Sequence, residues 1–481
     1  MKRVGKIDDK ILWCLLLIAG VASVPLMTDY VFWGESLAGT LNQIHVLGQG
    51  LGSVFPLRVM PVSDHGYGAA SLQANVFYLI PALLYRFGME MKNAYKWTLF
   101  LLNLATAGIA YLCFRRCCGS KWAGVIGSML FTWCPGRCSE MYLVGDLGET
   151  AAWTFLPLIL LGFRLLYKEE RTGQDHRDAG GALFLGYSLV ALSSTVVLFA
   201  VMVMTAVFLL VMGRETFRGK RLFTVVWAGV ITFFVNAWFL VPALLRLREV
   251  PAVAPLLLSD VRGSGMYISQ YLTVFNRGGD GERLMREGLV GVRAMGPGIA
   301  VMLLLTVFLW MVFVKEKRCD DILVVAWERR FVGKCMGTAA ILMFFSLNLF
   351  PWDLLQNRNM ICSILLAVMH TPAKLGIVAD ACLLLSACIF FSLLSEKADE
   401  KEGKLVTLIV VAIAFCTTQF LLGDILQTRS FLREAEVTAL YASEFSLLSG
   451  ESMAWRLCEV VSAVTLCACV VLFVLRRRKK C

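Results

Sequence analysis

The chain has 481 residues, of which 58% are hydrophobic and only 17% charged, with a mean hydropathy of +0.70. A soluble fold of that length needs far more polar surface, and the same figures exclude disorder, collagen, a coiled coil and a small disulfide scaffold. The net charge of +11 does not mark a nucleic-acid binder, because the Lys and Arg residues sit in short loops between apolar runs. What remains is an all-α polytopic integral membrane protein.

Apolar runs long enough to cross a bilayer, roughly twenty residues each, cover about 11–27, 97–114, 121–138, 147–167, 222–246, 295–314, 335–351, 374–395, 405–422 and 457–475. The first follows Met1-Lys2-Arg3, and no small-residue cleavage site follows Met27, so it reads as a retained span. The stretch 182–212 is too long for one span and short for two. Lys168-Glu169-Glu170-Arg171 precedes it and Arg214 to Arg221 follows it; both flanks are basic and prefer the cytoplasm, which requires two passes turning near Ser193-Ser194-Thr195. The layout is one transmembrane domain over 1–481 with about twelve crossings and both termini cytoplasmic, ending in the basic tail 476–481. The spans are nearly free of charge, Arg164 being an exception. Most of the 16 cysteines, such as Cys113, Cys382 and Cys467, lie inside apolar runs, where a thiol acts as a small hydrophobe rather than a metal or redox ligand.

This layout puts the larger loops, 28–96, 247–293, 352–373 and 423–456, on the external side. In the first, Asp29 falls where the chain leaves the bilayer, and reads either as a solvated helix cap or as a general base or metal ligand. His45, Asp64 and His65 have the same two readings, surface decoration or an acidic and imidazole cluster with Asp29. The apolar segment Phe77–Tyr85 is too short to cross. It predicts a helix lying half buried in the outer interface, broken by Pro81, with its tyrosines at the headgroups. Further on, Arg137, Asp146 and Glu149 flank two span ends. A carboxylate at the depth of Glu149 is costly unless paired, and Arg137 or Arg58 is the expected partner. That is either a structural ion pair or part of the cavity that Asp29 faces. The loop 247–293 holds arginines, including Arg262 and Arg286, without one lysine; they are either solvated surface charge or bidentate anion ligands.

An ordered series of landmarks carries a resemblance. It comprises Asp29, Phe55-Pro56-Leu57-Arg58, Pro61, Gly66-Tyr67-Gly68, Phe77-Tyr78, Pro81 to Tyr85, Ala94-Tyr95-Lys96, Asn103 to Tyr111, Gly148-Glu149 and Thr154 to Leu158, then Asn236 to Pro242 and Phe350-Pro351-Trp352. On these the chain resembles the bacterial membrane proteins labelled "6-pyruvoyl-tetrahydropterin synthase-related", close to the YfhO-like proteins, which are similar to GT-C glycosyltransferases. The resemblance is dense over about 28–170 and sparse to residue 352. It implies a GT-C-like fold with juxtamembrane helices in the first external loop. It also implies sugar transfer from a polyprenyl-phosphate donor at the outer face of the bacterial cytoplasmic membrane, for modification of a cell-surface glycan or lipid. Asp29 and Glu149 would be catalytic, Arg58, Arg137, Arg262, Arg286, Tyr67 and Tyr78 would bind substrate or phosphate, and Asp64, His65 and His45 would be ligands if a divalent metal serves as cofactor. The expected partners are membrane lipids and the sugar donor, with no nucleic acid; the sequence fixes no oligomeric state. Thr28 and Trp33 stand where relatives often have histidines, and Ser193-Ser194 where they often have Ser-His, so a non-catalytic membrane subunit derived from such an enzyme is an alternative. A lipid or glycan transporter is another, disfavoured by spans so poor in charge.

Overall fold

The computed structural model describes residues 8–34, 36–51, 59–61, 74–168, 173–246, 265–273, 294–314, 326–356, 369, 371–397, 400–427, 431–440, 445–447 and 453–478. Arg58, Asp64, His65, Tyr67, Arg262 and Arg286 lie outside these residues.

The fold is helical. In chain order the elements are α1 (Asp9–Ala22), β1 (Val31–Phe32), α2 (Leu37–Gly50), β2 (Val59–Pro61), α3 (Leu79–Arg86), α4 (Met91–Cys118), α5 (Lys121–Thr132) and α6 (Pro135–Ser139). A π-helical turn, Glu140–Val144, leads into α7 (Leu147–Leu166), α8 (Gly173–Ser193), α9 (Thr195–Met212), α10 (Arg221–Val235), α11 (Ala237–Arg246) and α12 (Ile268–Leu272). Then come α13 (Ile299–Val314), α14 (Ala326–Ser346), α15 (Trp352–Gln356), α16 (Lys374–Lys397), α17 (Glu400–Leu426), β3 (Phe431–Leu432), α18 (Glu434–Leu440), β4 (Phe445–Leu447) and α19 (Met453–Arg478). Every predicted apolar run overlaps one of these helices. Among the described residues five helices are long and apolar enough to cross a membrane, or six if the bent pair α10–α11 counts as one span.

Helix ends follow the local chemistry. Ser194 breaks the long run at the predicted place, its hydroxyl accepting the Val197 N–H and so capping α9. Asp146 caps α7 through the Glu149 N–H. Gly119 ends α4 in the left-handed region at φ +76°, where a β-carbon would strain the backbone. Between α10 and α11 the chain turns by 86° at Asn236. Ser462 of α19 accepts the Trp238 N–H and donates to the Phe234 carbonyl, so the groups freed by the break find partners on another helix.

One continuous apolar core joins α1, α4, α5, α7, α8, α9, α13, α14, α16 and α17, with Trp153, Phe131 and Phe163 fully buried in it. Helices α7 and α16 are almost wholly enclosed, while α9 and α17 present much of their apolar surface outward. Leu210 at 78% and Phe313 at 77% exposure are examples of large apolar side chains turned outward. Arg164, the charge seen inside a predicted span, is not bare: it pairs with Glu328 and lies 5.0 Å from the Trp327 ring centre.

A second core forms where α2, α3, the start of α4 and the π-helical turn pack with Leu421, Leu422, Ile425 and Val437. Two short antiparallel ribbons stitch it together. Val31–Phe32 pairs with Phe431–Leu432, and Val59–Pro61 pairs with Phe445–Leu447.

The segment Phe77–Tyr85 differs from expectation in detail. Its helix, α3, packs on α2 and α4 with Pro81 and Ala82 buried and Ile80 and Leu83 exposed. Pro81 does not break it: it sits in the first turn, where the missing N–H has no intrahelical partner to lose. Tyr78 does not lie at the surface but is buried, and Tyr85 packs against His45 with ring centres 5.7 Å apart.

Candidate functional site

Helix α1 stops at Ser23, and Pro25 starts a single 3₁₀ turn that delivers Thr28 and Asp29 to a corner before the chain extends into β1. The exposed carbonyls at this corner are met by the first turns of α4. Lys92 donates to the Asp29 carbonyl at 3.1 Å and to its carboxylate at 3.0 Å, and Lys96 donates to the Thr28 carbonyl at 2.6 Å. Both lysines are buried, yet the Asp29 side chain is 99% exposed. The site is therefore a carboxylate held open to its surroundings with an ammonium floor beneath it.

The electrostatics follow. The hydrogen bond and charge of Lys92 hold the Asp29 carboxyl below the ordinary carboxylate range, helped more weakly by Lys96 and by Arg433 at the end of β3. Glu90 and Glu434 offset part of the positive charge around Lys92. Sequence reasoning found Asp29 and missed its cations. The spacing of Lys92 and Lys96 by one helical turn was a readable signal, whereas Arg433 arrives only through the β1–β3 pairing.

Glu149 is not in this corner. It is buried at the start of α7, ion-paired with Lys374 at the head of α16; the same ammonium donates to Glu140 at 2.9 Å. The expected partner, Arg137, is elsewhere. It is fully buried and donates to the Thr132 carbonyl at 3.1 Å, Asn103 at 2.8 Å and Thr106 at 3.1 Å, so it ties α4 to the α5–α6 junction. The one Lys374 ammonium thus reaches both carboxylates.

Tyr78 extends the buried network. Its hydroxyl accepts the Gly148 N–H at 3.2 Å and lies 3.5 Å from the Asp146 carboxylate. Burial and the nearby Asp146 push its phenol well above the ordinary value, and burial likewise raises Asp146. Tyr78 therefore helps hold the entry to α7. His45 bonds Tyr85 at 3.3 Å and Gln49 at 2.8 Å, and partial burial lowers its pKa. Among the described residues no three His, Cys, Asp or Glu side chains converge as for a metal ion.

Of the candidates that are described, Asp29 faces outward, Glu149, Arg137 and Tyr78 are interior, and His45 sits between α2 and α3. No family model matches the chain, and no curated protein matches it. Among solved structures it is similar to the Archaeoglobus fulgidus oligosaccharyltransferase. To the complex with zinc and sulfate the TM-score is 0.45 at 15% identity over 86% of this chain and 53% of that one. To the apo form it is 0.47 at 12% identity over 88% and 57%. The chain thus spans little more than half the length of that archaeal protein.

Proposed function

We propose that this chain is a membrane glycosyltransferase that moves a sugar from a polyprenyl-phosphate donor to a cell-surface acceptor. The observation that carries the reading is the fully exposed Asp29 carboxylate, ionised and set beside buried Lys92 and Lys96 at the end of an apolar helix. Glycosyl transfer needs a base for the acceptor hydroxyl and cations for the leaving phosphate, and this corner offers both. In the reaction the acceptor oxygen attacks the anomeric carbon, the bond from that carbon to the phosphate oxygen breaks, and the phosphate leaves with both electrons toward Lys92, Lys96 and Arg433. The hydroxyl proton passes to Asp29. A phosphate that draws Lys92 toward itself also loosens the Lys92–Asp29 bond, which makes the carboxylate a better base once the donor is seated.

Asp29→Asn should abolish transfer in membrane vesicles supplied with a polyprenyl-phosphate sugar while leaving expression intact; unchanged transfer would remove Asp29 from the mechanism. A second prediction concerns pH. Because Lys92 depresses the Asp29 pKa, the acid limb of the rate profile should lie below the usual carboxylate value of about 3.9. Lys92→Met should move that limb upward. The sign for folding is the same: the pair's stabilisation is present above the ordinary carboxylate pKa and fades as pH falls through the lowered one. An acid limb that ignores Lys92→Met would show that Asp29 is not the titrating group.

The alternative of a non-catalytic subunit also has an observation in its favour. Thr28 stands at one of the places where the resemblance leads one to expect a histidine, and its hydroxyl lies 3.0 Å from the Pro25 and Tyr30 carbonyls, so it serves the local turn. Loss of transfer in Asp29→Asn decides against that reading.

A further inference from the structure

Helix α16 carries a second acidic residue that the glycosyl-transfer reading does not use. Asp380 lies six residues after Lys374, about 9 Å along the helix axis, and is wholly buried. Neither of its carboxylate oxygens has a hydrogen-bond partner among the described residues. A buried carboxylate left in that state costs several kcal/mol, so such groups mark sites where something else supplies the missing partner. The described hydrogen bonds of Lys374 and Arg137 go to other groups. Lys374 holds Glu140 and Glu149, and Arg137 turns its guanidinium to Thr132, Asn103 and Thr106.

The surroundings of Asp380 are rich in neutral oxygen. Gly136 opens the space it occupies: a β-carbon there would stand 2.9 Å from the Asp380 Oδ2 and 3.1 Å from the Met295 carbonyl oxygen. Tyr271 lies within electrostatic reach of Asp380, and its hydroxyl is 2.6 Å from that of Ser346. Gly376, one turn before Asp380, makes room for that phenol, whose oxygen would be 3.0 Å from an added β-carbon. Three breaks in regular structure meet here: the Cys134–Pro135 junction of α5 and α6, the short α12, and residues 294–298 ahead of α13. The Gly136 N–H donates to the Gly296 carbonyl across two of them. Interrupted helices of this kind leave carbonyl oxygens facing the interior, which in membrane proteins is where small cations are held.

We propose that Asp380 is the anionic ligand of a small monovalent cation bound inside the helix bundle, with the Met295 carbonyl and the Tyr271 and Ser346 hydroxyls as its neutral donors. Charge decides the valence. One carboxylate and one monovalent ion make a neutral pair, whereas a divalent ion on this single carboxylate would leave the pair with a net positive charge. The absence, among the described residues, of any three converging His, Cys, Asp or Glu side chains agrees with that choice. The bound ion would lock α16 to the broken segments it crosses. The inference is independent of glycosyl transfer and stands or falls apart from Asp29.

The test uses the full chain purified in lipid nanodiscs. Its thermal unfolding is followed while sodium chloride replaces N-methyl-D-glucamine chloride at constant ionic strength. A saturable rise of a few degrees is expected, lost in Asp380→Asn and kept in Asp8→Asn, whose exposed carboxylate pairs only with Lys121 among the described residues. Lithium or potassium acting in place of sodium, with the same dependence on Asp380, equally supports the site. No cation-specific rise, or one that Asp380→Asn retains, overturns it. Should Asp380→Asn fail to fold, the wild-type chain is treated with a hydrophobic carbodiimide and the modified carboxyl located by mass spectrometry. Sodium at ten times its dissociation constant should slow modification of Asp380 about tenfold; equal labelling with and without sodium rejects the proposal.

Discussion

Lys374→Met should lower the unfolding free energy by about 3–5 kcal/mol, the cost of leaving buried charge unpaired. The lysine touches both Glu140 and Glu149, whose side chains are only 2% and 6% exposed. Removing it sets two carboxylates against each other inside the protein with nothing between them. The effect should be visible as a large fall in thermal stability in detergent, and as a loss of folded protein at growth temperature. Glu140→Gln together with Glu149→Gln in the Lys374→Met background should recover most of the loss, because the triple variant removes both carboxylates that the lysine held. If Lys374→Met alone is neutral, the three groups do not form the bridge. If the triple variant is no better than the single one, the damage is to packing and not to charge.

Gly296→Ala should be nearly as severe. The alanine methyl would stand 2.0 Å from the Tyr271 carbonyl oxygen and 2.6 Å from its carbon. Backbone cannot swing aside as a side chain can, so either α12 or the lead-in to α13 must shift. Overpacking against rigid neighbours costs about 3 kcal/mol. The shift would also disturb the Gly136 N–H bond to the Gly296 carbonyl, 3.1 Å long, and so loosen the start of α6. Gly20→Ala is the matched control, since nothing lies within 4 Å of the added methyl. Equal unfolding temperatures for the two variants would mean that residues 271 and 296 do not approach as described.

The sequence was legible where the physics is local. The run expected at 147–167 is the helix Leu147–Leu166, and the turn expected near Ser193–Thr195 is the Ser194 cap between α8 and α9. Length and hydropathy decide such features within a window of twenty residues. The first-loop corner was half legible: Asp29 announced itself as a charge beyond the first apolar run, and its side chain is exposed. The partners of charged groups were not legible. Glu149 finds Lys374 from 225 residues away, and nothing in the composition of either neighbourhood selects that lysine over Arg137. Asp380 escaped notice because a single acid in an otherwise apolar run barely changes its hydropathy, although its burial without partners makes it one of the most informative residues in the chain. The ribbons were invisible for another reason. Two or three residues of β-structure have no periodicity to detect.

Those ribbons bear on how the protein is made. Val31 and Phe32 pair with Leu432 and Phe431, so a piece near the start of the chain must wait for one about 400 residues later. At a synthesis rate of about 5–20 residues per second, the wait is about 20–80 seconds. Throughout that interval Tyr30 lacks the Phe431 ring that it meets at 4.5 Å, and Asp29 lacks Arg433. The corner that carries the proposed chemistry is therefore among the last parts of the protein to assemble. A nascent chain halted before residue 431 would hold a nearly complete bundle of helices with an unfinished site.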